Sequence, residues 1–359
     1  MERNKNIDMV KGIGIILMIM GHAGAPFTKF IYLFHMGMFF VLSGICYNSN
    51  YTNNLSDLKK LFIKRIKSLW IPYFFINELF LIMHNFFITI GICNYDKINL
   101  KSFFVQTIKT VFFSANEELA GATWFLRVLF LVNIIYALIE YLVKRINANY
   151  LDYIMATVSI IFLLIGYYFN INNLSLKLQL DAVFSVFVLF YIGVFFRKID
   201  LLSKIKKDVS FNILIMAICF LSLLIIGKLG EDISIANNKY SNPVLFVIAT
   251  TLGLIMIYSI SQILSKSSIL LRMISYIGSN TMVIILWHFV AFKVYMAILV
   301  MLNIEKYSIL SSFPIYVGRS YDYLIYTCFG VLLPLLINYL YCKFKNICVN
   351  FNCRGIKER

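Results

Sequence analysis

Two histidines, one lysine and one aspartate of residues 8–44 lie within or at the edge of two adjoining apolar stretches. Asp8 and Lys11 stand three residues apart, and His22 and His35 flank the turn at 24–26. Placing an Asp or Lys in hydrocarbon costs about 2.5–3.5 kcal/mol on insertion scales, so such residues usually serve a function. Imidazole exchanges protons near physiological pH. The pattern therefore indicates acid–base chemistry inside a membrane.

The elements that position these residues follow from composition. The chain has 359 residues, of which 60% are hydrophobic and 14% charged, and its mean hydropathy is +0.81. A soluble domain of this size has too little interior for so much apolar surface, so we expect an all-α polytopic membrane protein. No polar or Pro/Gly/Ser-rich linker divides it, which predicts one membrane-embedded domain over residues 1–359. The first apolar run leads directly into a second, so no removable signal peptide is expected.

A membrane-spanning helix needs about 20 mostly apolar residues, and ten stretches meet this need. They are 7–27, 30–48, 69–92, 122–143, 151–170, 180–197, 210–228, 243–264, 279–302 and 322–343. Residues 100–114 form a shorter apolar patch, which predicts an interfacial or re-entrant segment.

The net charge of +16 is distributed as membrane topology requires, which argues against a nucleic-acid partner. With the N-terminus inside, predicted inner segments hold 22 of the 33 Lys and Arg residues and outer segments hold nine. This bias predicts that both termini are cytoplasmic. Seven scattered cysteines imply no disulfide framework, and Cys342, Cys348 and Cys353 have no nearby histidine, so no metal site is expected.

Depth follows from the helical rise of about 1.5 Å per residue. His22 and His35 stand a few residues either side of an outer turn, so both are predicted in the outer half of the membrane. His84 is 14 residues beyond Trp70, which places it outward as well. His288, nine residues after Ser279, is predicted nearer the middle or the inner half.

Arg127 follows Trp124 by one turn, and we expect both near the outer end of the fourth span. Structural alternatives stay open for these polar residues. A lone His84 or His288 can bridge helices by hydrogen bonds, and Arg127 can extend toward the outer interface. Glu78, the acidic residue of the third span, either contributes to a substrate site or pairs with a basic residue.

A basic run at the inner face comprises 59–60 and Lys64, Arg65 and Lys67. It is typical of ordinary topology with attraction to anionic lipid, and it also suits a phosphate-rich cytoplasmic ligand. Asp8 and Lys11 share a helical face, where they can simply pair. Gly12-Ile-Gly14 lacks the remainder of a dinucleotide motif and predicts close helix packing instead.

These residues resemble the acyltransferase-3 family of integral-membrane O-acyltransferases, in particular its fucose 4-O-acetylase-like subgroup. The pattern that carries the resemblance is Asp8-x-x-Lys11-Gly12, Gly21-His22, Phe34-His35-Met36-x-x-Phe39-Phe40 and Ser43-Gly44. Supporting pieces are Lys64-Arg65 with Pro72-Tyr73, Trp124-Phe125-Leu126, and 277–281 leading to Trp287-His288. One departure is Gly37, where the family commonly has proline.

The resemblance implies transfer of an acyl group, usually acetyl from cytoplasmic acetyl-CoA, to a sugar hydroxyl of a surface glycan or its lipid-linked precursor. It also implies a multi-pass protein of a bacterial inner or plasma membrane. Acetyl-CoA would be the acyl donor, and membrane lipid and a glycan or lipid-linked sugar the partners.

In this hypothesis His22 is the general base or a transient acyl carrier, and His35 orients it or completes the acceptor site. Arg127 would stabilise an oxyanion. The donor's phosphates would contact Lys64, Arg65 and Lys67, with Lys11 near the inner mouth. Weaker substrate-binding candidates are Asp8, Glu78, Trp124 and His288.

Two other classes of function stay open. A proton-coupled transporter or flippase of glycan precursors would use the same ionisable residues, but it predicts matching repeats with interrupted helices, which the sequence does not display. A non-catalytic subunit of glycan assembly predicts that His22 and His35 are dispensable.

Overall fold

The protein is an assembly of α-helices in a computed structural model that describes residues 4–114, 117–205 and 208–355, with side chains to 343. Within these residues the only extended pairing is one isolated bridge between Ser234 and Lys239. The helices are α1 (Lys5–His22), α2 (Thr28–Tyr32), α3 (His35–Ile45), α4 (Leu55–Arg65), α5 (Ile71–Thr89), α6 (Leu100–Val111), α7 (Trp124–Asn147), α8 (Leu151–Ile171), α9 (Leu180–Lys198), α10 (Leu201–Lys204), α11 (Val209–Lys228), α12 (Pro243–Leu264), α13 (Ser268–Ser279), α14 (Thr281–Met301) and α15 (Asp322–Gly355).

Eight helical stretches of the described residues are long and apolar enough to cross a membrane. The longest, Glu118–Ile171, contains both α7 and α8. Helix α1 lies outside this set, and it carries three charged residues, Lys5, Asp8 and Lys11, in its first two turns. The expected all-α polytopic architecture is confirmed, whereas the count of ten spans and the cytoplasmic termini stay predictions.

Several basic residues that entered the charge count have no described side chain. They are Arg3, Lys206, Lys207 and those from Lys345 onward, and Cys348 and Cys353 also lie outside the described side chains.

Helix α1 packs against α13 through glycines. A Cβ added to Gly12 would lie 2.2 Å from the Ile274 carbonyl oxygen, and one added to Gly278 would lie 1.7 Å from that of Asp8. Neither position can accept a side chain unless the helices separate. The expectation that Gly12 serves close helix packing is confirmed, and this contact fixes the height of α14 relative to α1.

Helix α3 is held against its neighbours in the same way. A Cβ on Gly44 would lie 2.1 Å from the Phe190 carbonyl oxygen, and one on Gly193 would lie 2.0 Å from that of Val41. Gly37, where proline is common in the family, faces α12, because an added Cβ would lie 2.5 Å from the Thr250 hydroxyl oxygen. Glycine at 37 therefore lets α12 approach the first turn of α3.

Helix α6 runs antiparallel to α5. Near its start, the Asn85 amide donates to the Ile98 carbonyl at 2.8 Å, and at its end the Trp70 indole donates to the Val111 carbonyl at 3.1 Å. Since α5 is predicted to lead outward, α6 leads back along it. This arrangement favours the re-entrant alternative for residues 100–114.

Candidate active site

A cavity of about 190 Å³ lies where the C-terminal end of α1 meets the N-terminal ends of α3 and α7. We call it the histidine cavity, because His22 and His35 both line it. The other lining residues are Met18, Tyr32, Met36, Ala122, Trp124, Ile233, Ser234, Ile235 and Ala236. Trp124 is thus a wall of the cavity. The last four belong to the loop between α11 and α12, which closes one side.

His288 lies directly beside His22. The two rings stack with centroids 5.4 Å apart and planes inclined by 26°, and Phe289 contacts His22 edge-on at 5.2 Å. His22 is ten residues beyond Gly12, and His288 is ten residues beyond Gly278. Because these glycines touch, equal steps along the two chains bring the histidines to one height. The prediction that His288 lies deeper than His22 is therefore wrong.

Backbone carbonyls fix the orientation of two of these rings. His35 Nδ1 lies 3.0 Å from the Ile31 carbonyl oxygen, and His288 Nδ1 lies 3.1 and 3.0 Å from those of Ile284 and Ile285. A carbonyl only accepts hydrogen bonds, so Nδ1 carries the proton in both residues. Their Nε2 atoms are then acceptors, and His288 Nε2 is buried without a partner among the described residues.

Tyr32 explains why glycine precedes His22. The Tyr32 ring stacks on His35 with centroids 4.9 Å apart, and its edge covers Gly21. A Cβ at position 21 would lie 2.6 Å from a Tyr32 ring carbon. Glycine at position 21 therefore leaves room for the Tyr32 ring, which stacks on His35. Nothing in the sequence marks Tyr32 itself.

His84 does not line the histidine cavity. Its Nδ1 lies 3.0 Å from a carboxylate oxygen of Glu117, and its Nε2 lies 3.3 Å from the Asp96 carbonyl oxygen. It ties α5 to the segment that precedes α7, as expected for a histidine that bridges helices.

Arg127 is also held away from the histidine cavity. Its Nη1 donates to the Phe113 carbonyl at 2.5 Å, and its Nε and Nη2 donate to Gln179 Oε1 at 3.2 and 2.6 Å. The guanidinium lines a separate outer cleft, described below. The geometry does not bring it to His22, so the oxyanion role receives no support.

Among the described residues, Glu78 forms no hydrogen bond or ion pair with His22 or with a basic residue. One of its carboxylate oxygens accepts from the Thr107 hydroxyl at 3.0 Å, and the other is buried without a partner among those residues. Its position between α5 and α6 differs from the predicted pairing with a cation, and its substrate-binding role stays a prediction.

A second cavity, of about 300 Å³, lies lower in the bundle and has cationic walls. Lys11, Lys64 and Arg65 all line it, and Arg65 Nε is buried without a partner among the described residues. We call it the cationic cavity. Lys67 is exposed and does not line it. The basic run is therefore divided, and only part of it faces this space.

The cationic cavity adjoins a cleft of about 780 Å³ through Lys11 and Cys46, which line both. Asp8 and Arg197 are among the residues of this cleft, which lies at the predicted inner end of α1. A path thus leads from this predicted inner end to Lys11.

The same three helices line both cavities. Helix α1 supplies Lys11 to the cationic cavity and His22 to the histidine cavity, eleven residues or about 16 Å apart. Helices α3 and α7 likewise contribute to each cavity. Between the two, the rings of Phe39 and Phe125 meet with centroids 5.9 Å apart. Phe39 lies one turn beyond His35 on α3 and Phe125 follows Trp124 on α7, so this aromatic contact borders both spaces.

Lys293 and Glu140 are among the buried charged residues to which the sequence analysis assigned no role. Lys293 donates to the carbonyls of Ile92, Leu310 and Ser312 at 3.1, 2.8 and 2.7 Å. Glu140 accepts from the Tyr47 and Thr52 hydroxyls at 2.7 and 2.9 Å, and from Ser49. Each holds loops against a helix. Their position inside predicted spans marked them as unusual. Their roles could not be predicted, because their partners lie in other elements of the chain.

Comparison with known proteins agrees with this arrangement. A family model described as an acyltransferase domain, that of the acyltransferase-3 family, matches residues 4–340. Neither the curated proteins nor the solved structures yielded a match. The family match covers every helix that lines the two cavities. The chain belongs to the acyltransferase-3 family and is a multi-pass membrane O-acyltransferase.

Proposed function

We propose that the protein transfers an acetyl group from cytoplasmic acetyl-CoA to a sugar hydroxyl of a cell-surface polysaccharide or its lipid-linked precursor. Within the family we propose the fucose 4-O-acetylase-like subgroup and a bacterial plasma membrane. The observation that carries the proposal is the placement of Lys11 and His22 on one helix, each lining a different cavity.

The cationic cavity suits the phosphates of the donor. Lys11, Lys64 and Arg65 converge on it, and the unpartnered Arg65 Nε needs an acceptor that the described protein does not supply. Phosphate oxygens are strong acceptors for guanidinium and ammonium groups. In acetyl-CoA the phosphates lie far from the acyl carbon. One donor molecule therefore suits both the cationic cavity and the histidine cavity, which are about 16 Å apart.

His22 is the residue that we expect to handle the proton. Unlike His35 and His288, its ring is not held by a backbone carbonyl, and it is partly exposed to the cavity. A neutral imidazole at this position can take the proton of the acceptor hydroxyl as its oxygen bonds to the acyl carbon. The same nitrogen can return that proton to the departing thiolate sulfur.

His35 and His288 would position His22. Both present an Nε2 acceptor, and they flank His22 from α3 and α14. His288 Nε2 has no partner among the described residues, so it can accept the N–H of His22 once substrate turns that ring, which would select the nitrogen that acts as the base. His35, which lines the cavity, can also accept a hydrogen bond from the sugar.

The test compares His22→Ala with His84→Ala in membranes that hold equal amounts of each protein. Loss of a general base lowers transfer by about 10²–10⁴-fold, so we expect glycan acetylation to fall to background in His22→Ala. His84→Ala should retain it, because His84 contacts Glu117 outside the cavity. Wild-type acetylation in the His22 variant would overturn the assignment.

A further inference from the structure

A cleft of about 630 Å³ lies beside the histidine cavity, and Ala236 lines both. Its other walls come from the end of α6, from α7, from the turn at 175–179 and from the start of α9. We call it the outer cleft. Because Ala236 lines both the cleft and the histidine cavity, the cleft adjoins the space in front of His22 and His35.

Cationic side chains dominate the outer cleft. Lys109 and Lys177 are exposed on its walls, and Arg127 is buried at its base with 8% of its surface accessible. Arg127 forms no ion pair with a described carboxylate, because its donors go to Gln179 and to the Phe113 carbonyl. Its charge is therefore fixed in place without neutralisation.

One carboxylate, Asp181, also lines the cleft, but it is engaged. Its Oδ1 accepts the Leu176 backbone N–H at 3.0 Å, which holds the turn before α9. Three cations against one engaged carboxylate leave a net positive potential in a concave space. Such a space concentrates anionic ligands.

One wall of the cleft belongs to a helix with an exposed apolar face. Helix α6 exposes an apolar row, Leu100, Phe104 and Ile108, with 59 to 78% of each residue accessible. Lys109 follows this row directly and faces the cleft. An exposed apolar row on a helix packed along a membrane-spanning helix is suited to contact with lipid. The cleft therefore borders a surface from which a membrane-anchored substrate can enter.

We propose that the outer cleft binds the acceptor and that it recognises an anionic group, a phosphate, next to the sugar that is acylated. This inference rests on the proposed function, since it assigns the acceptor of the same reaction. Lys109 and Lys177 would contact the phosphate oxygens, while Arg127 supplies the fixed charge below them. The sugar would then extend past Ala236 toward His22.

Binding tests the inference independently of catalysis. The full-length protein in nanodiscs is titrated with a polyprenyl-phosphate-linked sugar, with the soluble sugar 1-phosphate, and with the neutral methyl glycoside. We expect the phosphate-bearing probes to bind more tightly than the glycoside. The double variant Lys109→Gln/Lys177→Gln should weaken them by about tenfold or more. Tighter binding of the polyprenyl-phosphate-linked sugar than of the soluble sugar 1-phosphate would identify the acceptor as a membrane lipid.

The matched control is Lys97→Gln/Lys101→Gln, which removes two exposed lysines next to or on α6 that do not line the cleft. It should bind like the wild type, and equal size-exclusion profiles establish that both double variants fold. Equal loss in both, or no preference for phosphate, overturns the inference. A failure of the proposed function would appear as retained acetylation in His22→Ala, which is measured separately from any binding result.

Discussion

The rings of His22 and His288 stack at 5.4 Å although 266 positions separate them in the chain. The contact depends on the touching glycines Gly12 and Gly278, each ten residues earlier. Helix packing in the N-terminal half of α1 thereby sets the alignment of His22, at the C-terminal end of α1, with His288. Changes at either histidine should therefore have distinguishable consequences.

Two isosteric variants separate the roles of the nitrogens in His288. His288→Gln keeps an acceptor near the position of Nε2, whereas His288→Asn keeps a donor near that of Nδ1 and removes the acceptor. If Nε2 positions His22, we expect kcat to fall by about 10–100-fold in the Asn variant, with less loss in the Gln variant and little change in KM. Initial rates and the pH profile of kcat check this. Equal kcat in both variants and the wild type would contradict it.

Gly21→Ala should disturb the support of His35. The added Cβ would lie 2.6 Å from the Tyr32 ring, so the ring must move and its stacking on His35 is lost. Overpacking of this kind costs about 1–3 kcal/mol. We expect a lower melting temperature together with a lower specific activity. Gly227→Ala is the control, because its Cβ would meet only Leu33 at an ordinary 3.5 Å, and a matching loss there would refute the steric explanation.

Much of the architecture could be predicted from the sequence, because apolar runs and charge bias reflect the membrane directly. The proximity of His22 and His35 could also be predicted from local sequence, because they flank one turn. The height of His288 could not, because it depends on the contact of Gly12 with α13 rather than on distance from the predicted end of a span. The separation of Arg127 from His22 could not be predicted for a similar reason. Its partners, Phe113 and Gln179, belong to turns whose placement no local pattern reveals.

The inner basic residues should differ in their effect on the donor. Arg65 lines the cationic cavity with an unpartnered Nε, while Lys67, two residues later, is exposed outside it. Loss of a charge-assisted hydrogen bond to phosphate costs about 1.5–3 kcal/mol. We therefore expect Arg65→Gln to raise the KM for acetyl-CoA by about tenfold or more and Lys67→Gln to leave it within about twofold. Saturation curves in acetyl-CoA measure both, and equal increases would indicate a general surface potential instead.

Arg127→Lys distinguishes a structural from a catalytic arginine. Lysine cannot reproduce the three hydrogen bonds to Phe113 and Gln179, so we expect a loss of stability of about 1.5–3 kcal/mol. Activity per folded molecule should stay near that of the wild type, because the guanidinium does not line the histidine cavity. An oxyanion role predicts the opposite result, a fall in kcat of about 10²–10³-fold with stability retained. Thermal unfolding in detergent, measured beside specific activity on the same preparation, decides between the two. A variant that unfolds at the wild-type temperature but has lost its turnover would restore Arg127 to the reaction.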